Sequence, residues 1–431
     1  MHAITIRTPS VTSGLWSQAD FRRFWGADVV SKIGDATSVL ALPLTAILVL
    51  DASPFEVGLI GVAQLAAAVL IGLPAGALVD RIGRRRPVMI GADLGRAIAL
   101  ATIPLAWFLG VVTIAQLLAV AAVNAALAAF FDVASSALVP RLVGRSNLID
   151  ANAKLAVGRS AAEVSGPAIA GALISAVGAP LAILFDGVSF VASALMLRRV
   201  SVDDSASGGE PDQPMATTMS RPSVRSDVAT GLRFVAHQPY VRAVVATAFI
   251  ANLTRTMAFT VLLIAAVREA GLSPAEIGLA FAIGNVGFFV GGLTARAYTR
   301  RLGVGRAMVV SVLCFGPAMT LVAVAPTDML VYAITGMLFV NGFGIATHSV
   351  NQVSLRQAVT PTELLARVAA VTRLVITSAL PLGAAIGGTL GSIVGLHETL
   401  VVGTVGLYLA ALPYLVSPVR SLRSLPSTAG P

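Results

Sequence analysis

The chain has 431 residues, 56% of them hydrophobic and 12% charged, with a net charge of +9. So little charge cannot clothe the surface of a water-soluble domain of this length. A basic balance invites a nucleic-acid reading, yet the arginines sit between apolar blocks rather than in one patch, and no nucleic-acid partner is expected.

Met1 to Asp20 is polar and lacks an apolar stretch, so no cleaved signal is expected. Twelve apolar blocks follow, roughly 24–50, 56–79, 87–110, 113–138, 155–177, 180–197, 241–267, 276–298, 304–325, 329–352, 368–391 and 397–417. Most have the ~20 residues that cross about 30 Å of hydrocarbon. They are expected to be helices, because open strands cannot satisfy their backbone in lipid and barrel strands would alternate polar with apolar.

The charges between the blocks are one-sided. The N-terminal tail and the connections after even-numbered spans hold Arg22, Arg23, Arg81, Arg84, Arg85, Arg86, Arg141, Arg145, Arg198, Arg199, Arg300, Arg301, Arg306 and Arg356, and the C-terminal tail adds Arg420 and Arg423. The connections after odd-numbered spans hold only Arg268, beside Asp51, Glu56, Glu269, Glu276, Asp328 and Glu398. This asymmetry predicts a multi-pass protein of the cell (inner or plasma) membrane with both termini in the cytoplasm.

Cys314 is the lone cysteine, and His2, His237, His348 and His397 are scattered. No phosphate-binding G-x-x-x-x-G-K-[ST] occurs, and Lys32 and Lys154 are the only lysines. With no nucleophile–base pair and no ligand cluster visible, neither an enzyme, a metal site nor a cofactor is expected.

The chain also repeats itself. Residues 53–86 lie ungapped on 273–306 with twelve of 34 positions identical, among them Ser53/Ser273, Pro54/Pro274, Glu56/Glu276, Gly58/Gly278 and Arg81/Arg301. Residues 166–178 lie on 383–395 with eight of 13 identical. The offsets are 220 and 217, about half the chain. An even number of spans returns the chain to its starting side, so the two copies are parallel. The expected organisation is a cytoplasmic tail over 1–20, a six-helix half over 21–198 and a cytoplasmic linker over 199–239. A second half follows over 240–418 and a cytoplasmic tail over 419–431. Within the linker, the Gly/Ser/Pro-rich stretch is expected to be disordered, and 227–239 to form a short amphipathic helix.

GALVDRIGRRRP (76–87) resembles the signature of the major facilitator superfamily, in the loop between its second and third helices. Within it the chain is similar to the drug and siderophore exporter branch that includes macrolide and enterobactin exporters. The stretches that carry this are SKIGD (31–35), SPFEVGL (53–59), ADLGRA (92–97), SNLIDAN (146–152), TGLRFVAHQPYVR (230–242), and LRQAVTPTELLARVAAVTR (355–373) leading to PLGAAIGG (381–388). The resemblance covers about 20–418. It implies an all-α integral membrane fold of twelve transmembrane helices in two parallel six-helix halves. It also implies a gating loop built on Gly76, Asp80, Arg81, Gly83, Arg84 and Arg85. GPAIAG (166–171) is similar to the antiporter motif of drug/proton exchangers, through Gly166, Pro167 and Gly171; Ala162 and Ala170 stand where glycines are usual.

Charge inside a span costs roughly 2.5–3.5 kcal/mol at the helix centre, so it should meet a partner or a wet cavity. Asp28, Lys32 and Asp35 share one stripe of span one. Either Lys32 is tied to one of these acids, or the surplus acid exchanges a proton, with Asp35 favoured for its mid-depth position. Asp132 and Glu163 are further candidates for proton coupling, and Asp186 is another buried acid. Asp93 is expected to pair with Arg96, and Arg159 with Glu163. No acid lies inside a second-half span, so any proton carriers belong to the first half. Lys32, Asn252, Arg255, Asn341 and His348 are candidates for the cavity and cargo. The expected function is proton-coupled efflux of amphiphilic small molecules by alternating access, with protons and membrane lipid as partners and the monomer as the working unit. The competing readings are a metabolite importer or facilitator and a non-transporting scaffold or sensor.

Overall fold

The computed structural model describes residues 14–201 and 224–426, so the linker stretch 202–223 and the outermost parts of both tails lie outside the described residues. Among the described residues, twelve helical spans are long and apolar enough to cross a membrane. The first half comprises α1 (Ala19–Val49), α2 (Pro54–Ile82), α3 (Arg85–Phe108), α4 (Ile114–Val143), α5 (Leu148–Val177) and α6 (Ala179–Arg198). A shorter helix, α7 (Val224–His237), precedes the second half. That half comprises α8 (Pro239–Arg268), α9 (Pro274–Leu302), α10 (Val304–Leu313), α11 (Phe315–Val324), α12 (Leu330–Val359), α13 (Leu365–Ile393), α14 (Leu396–Leu409) and α15 (Leu412–Leu415).

Two blocks expected as single helices are interrupted, and proline supplies the reason. Pro317 and Pro413 have no N–H to offer the carbonyls four residues earlier, those of Leu313 and Leu409. These are the residues at which α10 and α14 end.

The matched S-P-x-E sequences have one meaning in both halves. Ser53 and Ser273 are N-caps whose hydroxyls accept from Glu56 N and Glu276 N, while each glutamate takes the cap's own N–H at 2.7 and 2.8 Å. Pro54 and Pro274 fill the first helical position, where no N–H is needed. The most similar stretches of the two halves therefore start α2 and α9 on the same face of the bundle.

Within each half the packing repeats: α1 lies on α5 and α6 as α8 lies on α13 and α14, and α2 lies on α4 as α9 lies on α12. The halves meet by exchange, α2 against α13 and α5 against α9. Both seams are tight only near the helix-start end of α2 and α9, called here the far face; the other, which carries the arginine-rich connections, is the basic face. A Cβ on Gly58 would lie 2.8 Å from Gly388 Cα, and one on Gly278 would lie 2.8 Å from Gly171 Cα. In the repeat register these are the same contact made twice. Ser392 Oγ accepts from Phe55 N–H and Ser175 Oγ accepts from Ala275 N–H, each at 2.9 Å, which fills an N–H that a helix start leaves open. Arg268 adds a cross-half bridge to Asp51 Oδ1 at 2.5 Å and to the Ala52 carbonyl at 2.8 Å. Toward the basic face the seams part: Gly72 and Gly76 of α2 and Gly292 of α9 have nothing within 4 Å of a built Cβ.

Only a residue without a side chain lets these backbones touch, so Gly278→Val should pry the far face open. In a Cys314→Ser background, a cysteine at Ala52, buried in this state, should then react faster with a water-soluble maleimide in the purified protein. Unchanged labelling would show that the glycine contact does not hold the seam.

Candidate functional site

Because the halves separate toward the basic face, a cavity of about 790 Å³ opens between them. Its first-half wall comes from α1, α4 and α5, with Lys32, Asp35, Asp132, Arg159 and Glu163. Its second-half wall comes from α9 and α13, with Phe281, Asn285 and Arg373.

The stripe on α1 delivers Lys32 and Asp35 to this cavity and Asp28 to the packed interior behind it. Lys32 Nζ lies 3.1 Å from Asp132 Oδ1 on α4 and 3.6 Å from Asp35 Oδ2 one turn on. Asp35 is held from behind by Arg96 of α3, whose Nη2 pairs with Asp35 Oδ1. Arg96 is fully buried; its Nε donates to Asn124 Oδ1 at 2.9 Å, and its guanidinium stacks 3.8 Å from the Phe190 ring centroid. A planar fork that is less tightly hydrated than an ammonium suits this double task. Deeper still, Asp186 of α6 takes a hydrogen bond from Ser38 of α1, while Ser189 Oγ donates to the Asp186 carbonyl at 2.8 Å.

Several pairings expected from helical spacing are corrected. Arg96 turns to Asp35 and Asn124 rather than to Asp93 three residues before it. Arg159 leans toward Asp28 Oδ2 at 3.8 Å rather than stapling Glu163. In both cases the cation meets a carboxylate on another helix instead of the one a turn away on its own.

The second-half candidates divide. Arg255 donates to Asn252 Oδ1 at 3.2 Å and lies 5.9 Å from the Phe259 ring, and it pairs with neither Asp35 nor Asp132 in this state. Asn341 is buried and donates to Met337 Sδ at 2.8 Å. His348 shares a 2.7 Å hydrogen bond with the Tyr414 hydroxyl. Both are held within their own half and, like Asn252 and Arg255, are not among the residues that line the cavity in this state. Arg373 and Asn285, which sequence reasoning passed over, line it from the second half.

One contact follows from the antiporter-like motif. Pro167 cannot donate to the carbonyl of Glu163 four residues earlier, which leaves an acceptor unfilled in mid-helix. Asn285 Nδ2 of α9 reaches across the seam and fills it at 2.6 Å. The proline was visible in the sequence; its partner, 118 positions further on, was not.

Twelve membrane-length helices, a two-fold repeat and a solute-sized cavity at the join describe a transporter. The sequence profile of the Major Facilitator Superfamily matches residues 25–383. The chain belongs to this superfamily. Among its relatives, the multidrug efflux pump Tap of Mycolicibacterium fortuitum is 28% identical over 404 residues, spanning 90% of this chain and 94% of Tap. The uncharacterized MFS-type transporter YfiS of Bacillus subtilis is 23% identical over 320 residues, spanning 74% and 70%. Among solved structures, a bacterial homologue of the iron transporter ferroportin in its inward-facing state superposes with a TM-score of 0.69 at 19% identity, covering 92% and 98% of the two chains. The nucleoside transporter NupG, as its D323A mutant, gives 0.73 at 12%, covering 92% and 99%. Identities this low speak to the fold alone.

The superfamily loop sits at the parted end of α2. Gly83 closes α2 with φ 69°, a left-handed cap that a side chain would strain. Arg84 is the N-cap of α3, and Arg86 donates to the Val200 carbonyl at 2.5 Å. Asp80 and Arg81 are exposed, and neither makes an ion pair among the described residues. Gly166 packs against Ala36 of α1, and Gly171 against Gly278 of α9.

If Asn285 acts by filling the carbonyl that Pro167 leaves open, the two positions should be coupled. Asn285→Ala alone is expected to slow transport about tenfold, the scale of an unpaired polar group. Asn285→Ala added to Pro167→Ala should cost little, since an alanine in place of the proline brings the N–H that restores the intrahelical bond. Additive losses would mean that Asn285 works through something else.

Proposed function

We propose that the protein is a proton-coupled exporter of amphiphilic small molecules, working by rocking of its two halves about the central cavity. The observation that carries this is an imbalance of charge. In their membrane-deep turns the first-half spans hold six carboxylates (Asp28, Asp35, Asp93, Asp132, Glu163 and Asp186) against three cations (Lys32, Arg96 and Arg159), whereas the same turns of the second-half spans hold no acid. Surplus carboxylates in hydrocarbon are tolerated when they bind protons. Three of the six, Asp35, Asp132 and Glu163, line a cavity that reaches the basic face.

The one-sided arginines favour a cytoplasmic position for that face and for both termini in a plasma-membrane protein. The state described is then open to the cytoplasm and sealed outside, the state in which an exporter collects cargo. A relative named as a multidrug efflux pump over nearly the full length supports the direction and the class of cargo. A scaffold has no use for a wet cavity lined with charge.

Asp35 is the central carrier in this reading. It alone touches the cavity, the cavity lysine and the buried Arg96, so its proton and the arrangement of Lys32 between Asp35 and Asp132 change together. Asp28, Asp132 and Glu163 complete the set. The exposed Asp80 loop is the latch that engages when the cytoplasmic ends close, and it waits unpaired while they are open.

Asp35→Asn should abolish efflux driven by a proton gradient in inverted vesicles or proteoliposomes, compared at matched amounts of folded protein because the change also takes the carboxylate from Arg96. Gradient-driven transport at the wild-type rate would remove Asp35 from the mechanism. Asp80→Asn should lower the maximal rate severalfold while leaving cargo affinity alone. A change in affinity with the rate intact would assign the loop to cargo instead.

A further inference from the structure

The charges that line the cavity are balanced in number and divided in space. Lys32, Arg159 and Arg373 face Asp35, Asp132 and Glu163. Most are already committed. Lys32 bridges Asp35 and Asp132, Asp35 also holds Arg96, and Arg159 leans on Asp28. Two remain without an ion pair among the described residues: Glu163 on α5 and Arg373 on α13. They carry opposite signs and stand on opposite halves. Both side chains are exposed to the space between the halves.

An open, wet cavity tolerates these two charges. Alternating access requires the cavity to close around its contents, which takes both groups out of bulk water. An ion closed into such a space needs a counter-charge at hydrogen-bond range. A cargo with a single net charge satisfies one group and abandons the other. A cargo with a cationic and an anionic centre satisfies both, and in doing so it ties the first half to the second. The same cavity also has apolar wall, with Val39 and Leu40 of α1 and with Phe281 of α9, whose ring is fixed edge-on by Phe259 at 6.3 Å. Asn285, held by its Nδ2 to the Glu163 carbonyl, keeps its amide on the same wall.

We propose that the cavity is a binding site for zwitterionic amphiphiles, with the cationic centre on Glu163 and the anionic group on Arg373. The guanidinium takes a carboxylate or phosphate through two parallel N–H donors, which an ammonium at the same place cannot do. The inference deepens the transport reading, since it rests on this cavity being the cargo site, but it requires neither a direction nor a coupling ion.

The test is equilibrium binding to the purified full-length protein in detergent, without a gradient, followed by the intrinsic fluorescence anisotropy of a matched pair of probes. Ciprofloxacin carries an ammonium and a carboxylate at neutral pH; its methyl ester keeps the ammonium and the ring system and loses the anion. Wild-type protein should bind the zwitterion about tenfold more tightly than the ester, the scale of one charge-assisted hydrogen-bonded contact. Arg373→Gln should erase that preference while leaving the affinity for the ester unchanged, and Arg373→Lys should restore part of it. Glu163→Gln should weaken both probes by a similar factor. Elution and unfolding profiles like the wild type's confirm that each variant is folded. Failure of the zwitterion to bind, equal affinity for both probes, or an Arg373→Gln loss shared by both overturns the proposal; the last result would make Arg373 a cross-half gate. If discrimination holds but Asp35→Asn leaves gradient-driven efflux intact, the cargo site stands and only the coupling falls.

Discussion

The ion pair between Asp35 and Arg96 is the interaction on which the rest of the first half depends. A carboxylate at mid-depth in a membrane is costly alone, and a buried guanidinium is costlier still. Together, with Asn124 on the guanidinium Nε and Phe190 stacked against its plane, they hold one another, although Arg96 Nη1 stays buried without a hydrogen-bond partner among the described residues. Because Arg96 holds Asp35 from behind, Asp35 can present its other oxygen to the cavity and to Lys32. Lys32 in turn reaches Asp132 on a third helix. One buried cation thus ties α1, α3 and α4 into a polar core that still touches water. A fixed polar network with one wet edge is what proton exchange requires.

The second constraint is mechanical. If the two halves rock as proposed, their contact surfaces must be close yet easily parted. Glycine against glycine, with one serine hydroxyl on each helix start, meets both needs. The backbones approach closely, and few interlocked side chains have to be withdrawn. The same device appears at both seams in repeat register, so the far-face seal carries the two-fold symmetry that the charge network lacks. Symmetry governs the moving parts, and asymmetry governs the chemistry.

Proline shows how context decides the fate of one local defect. Pro317 and Pro413 interrupt the spans in which they fall, where α10 and α14 end. Pro167 leaves the same unfilled carbonyl, yet α5 runs on unbroken from Leu148 to Val177, with an asparagine from the opposite half supplying the missing donor. The defect that interrupts one helix becomes, in another, a polar link between halves.

What the sequence determined by itself was everything set by short-range and one-dimensional rules. Hydrocarbon thickness imposed the span lengths, the capping serines and glutamates started α2 and α9, and the internal repeat required two parallel halves. The confinement of membrane-deep acids to the first half was equally plain, because it is a matter of counting. Pairing belonged to the tertiary structure. Helical spacing proposed Asp93 for Arg96 and Glu163 for Arg159, and packing chose Asp35 and Asp28 instead. Which polar residues reach the cavity was also beyond spacing: His348 and Asn341 turned inward within their own half, while Arg373 and Asn285 faced the gap. A helix shows its residues in every direction, and only the neighbours that close around it decide which directions stay open to water.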